Sequence, residues 1–273
     1  MLIADDPQLY AALAALAREA RLVFFAGLPG TGKSLLIHQL AHLAHERGRR
    51  IHLLQWDVAR PVFEASASGQ RYPLDSGVTH GVIRLAVGRW ARAAVAGWHA
   101  RHRGPEHLLI GETPLIGHRL IELARPAPDA AEPLLTSPAT TVVIPVPSPA
   151  LREHLEAERA RRAAHPLHPR EREDAPPEVL RALWRELAGA DVPYDPVLYQ
   201  RAYERLLRHR RAEAWPLHTR LPTGGVSAYD FRVATADLVP TAEEAERCIR
   251  AVEASHPEAG AVERAVGDWR RPA

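Results

Sequence analysis

A chain of 273 residues that is 46% hydrophobic can bury one large core. Its 35 Lys and Arg nearly balance 33 Asp and Glu, for a net charge of +2, which argues against a nucleic-acid clamp spread over the whole surface. The single cysteine, Cys248, excludes an intrachain disulfide. Acidic Asp5 and Asp6 stand where a signal peptide would carry positive charge, and no apolar run reaches membrane-spanning length. The expectation is a soluble, cytoplasmic protein without a membrane partner.

In chain order, Asp6-Pro7 offers an N-cap followed by proline at the first helical position, and Leu9, Leu13 and Leu16 repeat at helical spacing up to about Arg18. Leu22 to Ala26 is too short for a helix and reads as a buried strand. A glycine-rich stretch comes next, and Lys33 to about Arg47 reads as a helix stopped by Gly48. Ile51 to Gln55 is a second apolar run, ending at Trp56-Asp57. Strand, loop, helix and strand in this order make a parallel βαβ unit.

Residues 58–106 exceed a minimal crossover. They read as a short helix over Pro61 to Ser68, then a polar loop from Gly69 to Thr79 in which Asp75 or Thr79 could cap the next helix. That long helix, from His80 to about His102, carries Ile83, Val87, Trp90, Ala94 and Trp98 on one stripe. Leu108 to Gly111 is a third strand, Thr113 to Leu123 a short helical pattern, and Thr141 to Val146 a β-branched fourth strand. Ala150 to Ala164 is helical and dense in Arg and Glu, and 165–177 is a proline-rich loop. Two further helices are expected over Glu178 to Leu187 and Pro196 to about Arg211. A fifth strand falls within Trp215 to Leu221 or Val226 to Val233. Thr241 caps a helix reaching about Ala254, with Glu244 completing a capping box. Residues 256–273 are expected to form a loosely packed tail.

The strongest motif is Gly27-Leu28-Pro29-Gly30-Thr31-Gly32-Lys33-Ser34, a full match to GxxxxGK[ST] between an apolar strand and a helix. Its glycines let successive N–H groups point inward at phosphate oxygens. Lys33, the only lysine in the chain, supplies a point charge to the β- and γ-phosphates, and Ser34 a hydroxyl to magnesium. The helix that starts there adds its positive dipole end. The set expected around ATP and Mg2+ is Gly27, Pro29, Gly30, Thr31, Gly32, Lys33, Ser34 and Leu35.

Residues 22–57 resemble the start of a P-loop kinase of the nucleoside/nucleotide-kinase-like group, which includes adenylylsulfate kinase, gluconate kinase, polynucleotide kinase and the zeta toxins. The resemblance implies a single three-layer α/β P-loop NTPase domain over 1–273, with a mainly parallel five-stranded sheet. It implies an acceptor region in the helical insertion 58–106 and an Arg-rich lid at 150–190. It also implies transfer of the γ-phosphate of Mg–ATP to a hydroxyl acceptor. Asp57, just past the second strand, resembles the aspartate that contacts the acceptor hydroxyl, and Arg60 the arginine that often comes after it. Ligands bind at the carboxyl ends of parallel strands, where Asp57 falls; its plain alternative is a turn cap. Glu112, ending the third strand, resembles the acid that places magnesium or acceptor, and otherwise opens a polar turn. Arg119 could reach a substrate anion or be an ordinary surface residue.

The lid segment offers Arg152, Arg159, Arg161, Arg162, Arg170 and Arg172, interleaved with glutamates as on a solvated face. Arg159 and Arg162, which share a helical face, are the expected catalytic pair. Arg71, Tyr72, Asp75, His80 and Arg84 are acceptor candidates in the insertion, with Trp56 and Trp90 as candidate pocket walls. His38, His42 and His45 share one side of a helix, and His165 and His168 flank the lid, but neither group has zinc-site spacing. Two other readings remain open. One is a polynucleotide 5′-kinase or zeta-toxin-like sugar-nucleotide kinase, for which Arg201, Arg205, Arg208, Arg210 and Arg211 with Tyr199 and Tyr203 would guide a strand, so that nucleic acid is admitted without being favoured. The other is a regulatory module that binds and slowly hydrolyses ATP.

Overall fold

The computed structural model describes residues 6–75, 77–168, 171, 176–220, 227 and 233–270. Its centre is a six-stranded sheet in the order β5-β4-β1-β3-β2-β6, with every pair parallel. The strands are β1 (Leu22–Ala26), β2 (Arg50–Leu54), β3 (His107–Thr113), β4 (Thr140–Pro147), β5 (Ala212–Leu217) and β6 (Thr235–Asp237). Side chains alternate across a strand, and here both faces are buried. Val23 and Phe25 of β1, with Ile51, Leu53, Leu108 and Ile110, pack beneath α1 (Pro7–Glu19) and α2 (Lys33–His45). Leu22, Phe24 and Ala26, with Leu54 and Leu109, face the opposite core, which includes α3 (Trp56–Ala65) and α4 (Gly81–Arg101). Helices on both sides of one parallel sheet make this an α/β fold of stacked layers.

The remaining helices are α5 (Glu132–Leu135), α6 (Pro149–Ala164), α7 (Pro177–Ala188), α8 (Pro196–Leu206), α9 (Ala242–Ser255) and α10 (Ala261–Gly267). Their starts are set by side-chain chemistry. Asp6 accepts from the Leu9 amide at 3.0 Å, Ser148 from Leu151 at 3.3 Å, and Asp195 from Val197 at 2.8 Å. The capping box of Thr241 and Glu244 is complete in both directions.

Several expectations are corrected. Among the described residues the sheet has six strands, not five. β5 overlaps the first candidate span, and β6 lies beyond both; most of 226–233 lies outside the described residues. β6 is a three-residue exposed edge strand beside β2, joined by backbone pairing that leaves no mark in hydrophobic pattern. The helix after β2 starts at Trp56, so Asp57 lies in its first turn, where an acid suits the positive end of the helix dipole. The helix starting near His80 is capped by His80 itself, whose Nδ1 accepts from the Val82 amide at 3.2 Å. Residues 113–123 form two 3-10 turns, Ile116–His118 and Ile121–Leu123. The tail is packed through residue 270: Val266 and Trp269 are buried, and the Trp269 indole N–H donates to Glu186 at 3.0 Å. Residues 271–273 lie outside the described part.

Among the described residues, no helix is long and apolar enough to cross a membrane.

Candidate functional site at the carboxyl ends of the strands

Parallel pairing brings the carboxyl ends of β1, β2, β3 and β4 to one end of the sheet, and the path from β3 to β4 crosses β1. That crossing is a topological switch, where open α/β sheets form their ligand crevices. The 27–34 loop leaves β1 at this point. Gly30 (φ 74°) and Gly32 (φ 86°) adopt the left-handed conformation, and Gly32 occupies the N-cap of α2. The amides of Gly30, Thr31 and Gly32 donate to no backbone carbonyl among the described residues. Successive unpaired N–H groups at a helix start attract anions.

The loop is braced from below. Thr31 Oγ1 donates to the Leu28 carbonyl at 2.9 Å, and the Leu28 amide donates to the Tyr199 hydroxyl at 3.3 Å. A side chain on Gly27 would overlap that same hydroxyl. Tyr199 and Tyr203 of α8 are fully buried, and Tyr203 donates to the Pro114 carbonyl at 2.9 Å. Burial raises the pKa of both phenols, keeping them neutral. They are struts beneath the loop, which removes them as base-stacking platforms.

Lys33 is 4% exposed. Its ammonium donates to the Leu28 carbonyl at 2.7 Å and lies 3.3 Å from Glu112 Oε1. Burial pulls its pKa below the ordinary lysine value; Glu112 opposes this, and the positive charges of Arg159 and Arg152 add to the lowering. One acid, Glu112, thus approaches Lys33 from β3, and two arginines act on it from α6. Ser34 is exposed beside it.

Asp57 has solvent-accessible surface, yet protein crowds the cleft around it. Loss of surrounding water, reinforced by the charge of Glu112, raises its pKa above the usual aspartate range, against the pull of Arg60, Arg119 and Lys33. Arg60 is also bound by Glu64, with Nη1 at 3.1 Å from both carboxylate oxygens. Arg119 is reached by the fields of Glu186 and Asp57, and its guanidinium has no hydrogen-bonded partner among the described residues. Arg84 of α4 joins this group by donating to the Gly117 carbonyl at 2.8 Å.

The structure therefore brings Lys33, Asp57, Arg60, Glu112 and Arg119 to one end of the sheet, with Arg84 from the insertion. The other insertion candidates go elsewhere. Arg71 and Tyr72 bind Glu253 of α9 at 2.7 and 2.5 Å, Asp75 pairs through its backbone with Val78, and His80 caps α4. Trp56 and Trp90 are core residues instead of pocket walls; the Trp90 indole donates to Glu244 at 3.2 Å.

Of the expected lid pair, Arg159 lies within the electrostatic reach of Lys33, whereas Arg162 is held by Glu158 on its own helix at 2.9 Å. Arg161 shares that glutamate, and Arg170 and Arg172 lie outside the described residues. Arg152, in the first turn of the same helix, also acts on Lys33. It is 4% exposed, binds Glu156 at 2.5 Å, stacks 5.1 Å over Tyr194 and buries an unpartnered Nη1. Its signal in the sequence was its place in the first turn after the Ser148 cap, next to the end of β4. Leu180 of α7 would stand 3.7 Å from a Cβ on Gly30, so the 150–190 segment does abut the loop.

In the basic stretch of α8 and beyond, Arg201, Arg205 and Arg208 are exposed, whereas the last two arginines are engaged within the fold. Arg210 is buried on Glu132 at 2.8 Å, and Arg211 donates to the Pro138 carbonyl at 2.8 Å.

No family model, no curated protein and no solved structure matches this chain.

Proposed function

We propose that the chain is a phosphotransferase that moves the γ-phosphate of Mg–ATP to a hydroxyl of a small acceptor seated at Asp57. The observation that carries this reading is the placement of Lys33. It is buried at the mouth of a loop with unpaired amides, in contact with Glu112 and within the fields of Asp57, Arg159 and Arg152. A phosphate chain lying along the loop would meet the amides of Gly30, Thr31 and Gly32 and the Lys33 ammonium. Phosphoryl transfer is mainly positioning and charge stabilisation, so such a cradle contributes directly. The available metal donors, the Ser34 hydroxyl and the Asp57 and Glu112 carboxylates, are hard oxygens that fit Mg2+. Bound there, Mg2+ would neutralise phosphate charge.

In this reading Asp57 orients the acceptor hydroxyl and takes its proton as the new P–O bond forms. Its raised pKa brings it closer to a working base than a solvated aspartate would be. Arg159 and Arg152 meet charge on the transferring group from the α6 side, since guanidinium presents a planar fork to phosphate oxygens. Arg60 and Arg119 near Asp57, with Arg84 near Arg119, favour an acceptor that itself carries an anionic group. Nucleic acid fits less well, because Arg210 and Arg211 are engaged within the fold and both tyrosines are buried.

The test is transfer of label from γ-labelled ATP into pooled sugars, nucleosides, nucleotides and other hydroxyl compounds, comparing wild type with Asp57→Asn. The expected result is a labelled product that the variant loses while it still binds ATP. Full transfer by Asp57→Asn would remove Asp57 from the chemistry. ATP turnover without any phosphorylated product would favour the regulatory-module reading.

A further inference from the structure

Toward the other end of β3, three imidazoles converge. His107 is the first residue of β3, His52 is the middle residue of β2, and His102 is the C-cap of α4. His107 and Glu112 are separated by five steps of a parallel strand, or about 16 Å, so this cluster is distinct from the phosphate-loop site. Register places Arg50 beside His107 and His52 beside Leu109. His52 and His107 therefore project from the same face of the sheet, toward Trp98 of α4. The His52 ring lies 5.7 Å from that indole.

One ring nitrogen from each histidine lies within 4.8 Å of the other two. His52 Nε2 and His107 Nδ1 are 3.0 Å apart, and the ring centroids of His102 stand 4.5 and 4.4 Å from those of His52 and His107. We propose that His52, His102 and His107 form a binding site for a divalent transition-metal ion of the Zn2+ type, with solvent completing the coordination.

The donor set decides the class of ion. Three imidazoles without a carboxylate ligand suit Zn2+, Co2+, Ni2+ or Cu2+ and not Mg2+ or Ca2+. Tetrahedral zinc with Zn–N near 2.05 Å places its ligand nitrogens about 3.3 Å apart. The His52–His107 pair is close to that spacing already. His102 closes the remaining gap of at most about 1.5 Å by side-chain rotation, from a residue outside the helix (φ −117°, ψ 79°).

Two features support the ligands from behind. His107 Nε2 lies 3.3 Å from Glu106 Oε1, so its second ring nitrogen faces the carboxylate that commonly orients a metal-bound histidine. With the His107 proton on Nε2, Nδ1 accepts from His52 Nε2. Metal binding then needs the His52 proton to move to its own Nδ1, with no change in charge. Arg21 donates to the carbonyls of His102, Gly104 and His107, and so ties down the backbone that carries two of the three ligands. Its positive charge works against a bound cation, which Glu106 partly offsets, so moderate affinity is expected.

The test uses untagged, full-length protein stripped with chelator, dialysed at neutral pH against Zn2+ or Co2+ without nucleotide. The expected result is one equivalent of metal per chain, a visible-range absorption band for the Co2+ form and a higher melting temperature. His102→Gln should weaken binding by about tenfold or more, while His42→Gln, remote on α2, should not. Circular dichroism and melting of the metal-free variants identify any that fail to fold. His102 is the half-exposed ligand, so its variant decides if His52→Gln proves unstable. Absence of stoichiometric binding, or affinity unchanged in His102→Gln, would overturn the proposal.

Discussion

Gly111 interrupts the apolar run of β3 immediately before Glu112, and the structure supplies the reason. A Cβ at Gly111 would fall on Cδ1 and Cε1 of Phe24, its register partner on β1, about 1 Å inside the ~3.5 Å at which carbon atoms make contact. Phe24 is 2% exposed and cannot swing into solvent, so Gly111→Ala must push β3 from β1 or force the ring off its rotamer. Overpacking of this kind costs about 1–3 kcal/mol. For a chain of 273 residues that lowers the melting temperature by roughly 2–5 °C. Phe24→Leu should relieve the overlap. In a double-mutant cycle of urea denaturation, the Gly111→Ala penalty should shrink by about 1 kcal/mol or more in the Phe24→Leu background. The same displacement would move Glu112, one residue on, away from Lys33. ATP affinity or transfer should then fall more than stability alone explains, and recover in the double variant. Additive penalties within about 0.3 kcal/mol would show that the close approach of Phe24 is not what requires glycine here.

Two further predictions concern charge. The Asp57 carboxyl should titrate above the aspartate reference of 3.8 in carbon-detected NMR, and Arg60→Leu should raise it further by removing the first of the cations that oppose the shift. Because the folded-state pKa is raised, protonation favours the fold: this group's cost to stability is absent at low pH and develops as pH rises through the unfolded value. Titration at or below 3.8 would contradict the crowded-cleft argument. Glu132 binds both Arg92 and Arg210, whose side chains are 6% and 1% exposed, and Glu132→Gln should cost about 3 kcal/mol by leaving buried guanidinium charge undercompensated. The carboxyl of Asp129 is held below its ordinary value chiefly by hydrogen bonding to Arg92. That of Glu132 is also held low, by Arg210 and Arg92 against the opposing effect of burial. This stabilisation is therefore complete above their unfolded values and lost as pH falls through the lowered folded ones. Denaturant midpoints across acid pH, in wild type and variant, would expose it; a variant with the wild-type acid profile would refute the assignment.

The β1–α2–β2 unit was legible because three signals coincide there: buried runs of strand length, a glycine loop and a capped helical stripe. The long helix α4 and the capping box of α9 were readable for the same reason. The edge strands were not. β5 contains Pro216 and is only half-buried, while β6 is three exposed residues whose pairing with β2 is entirely backbone. Trp269 was the overlooked anchor of the tail, a large aromatic in a segment otherwise read as loose. At the site, strand-end position is what brings Asp57 and Glu112 within each other's field and that of Lys33. Spacing along α6 did not rank its arginines, because the distance of each from Lys33 depends on how the helix leaves β4.

The turn after β3 shows what it takes to bring Arg119 to that mouth. Leu115, His118 and Leu120 each have φ of 62°, and Gly117 has φ of 61°. For non-glycine residues this region costs on the order of 1–3 kcal/mol each, so the surroundings must impose it. They do so from several sides. Leu115, Ile116 and Leu120 are fully buried, Tyr203 holds the Pro114 carbonyl, Arg84 holds the Gly117 carbonyl, and His118 binds Glu122 at 2.8 Å. Leu115 and Arg119 also pair through their backbones, closing the turn on itself. A glycine-rich turn would avoid the strain but would leave Arg119 free to wander. Here the apolar residues on either side are locked into the core, and the arginine between them stays within the field of Asp57. In the proposed phosphotransfer, strain that holds a cation within the field of Asp57, at the switch point of a parallel sheet, would help to orient an anionic acceptor.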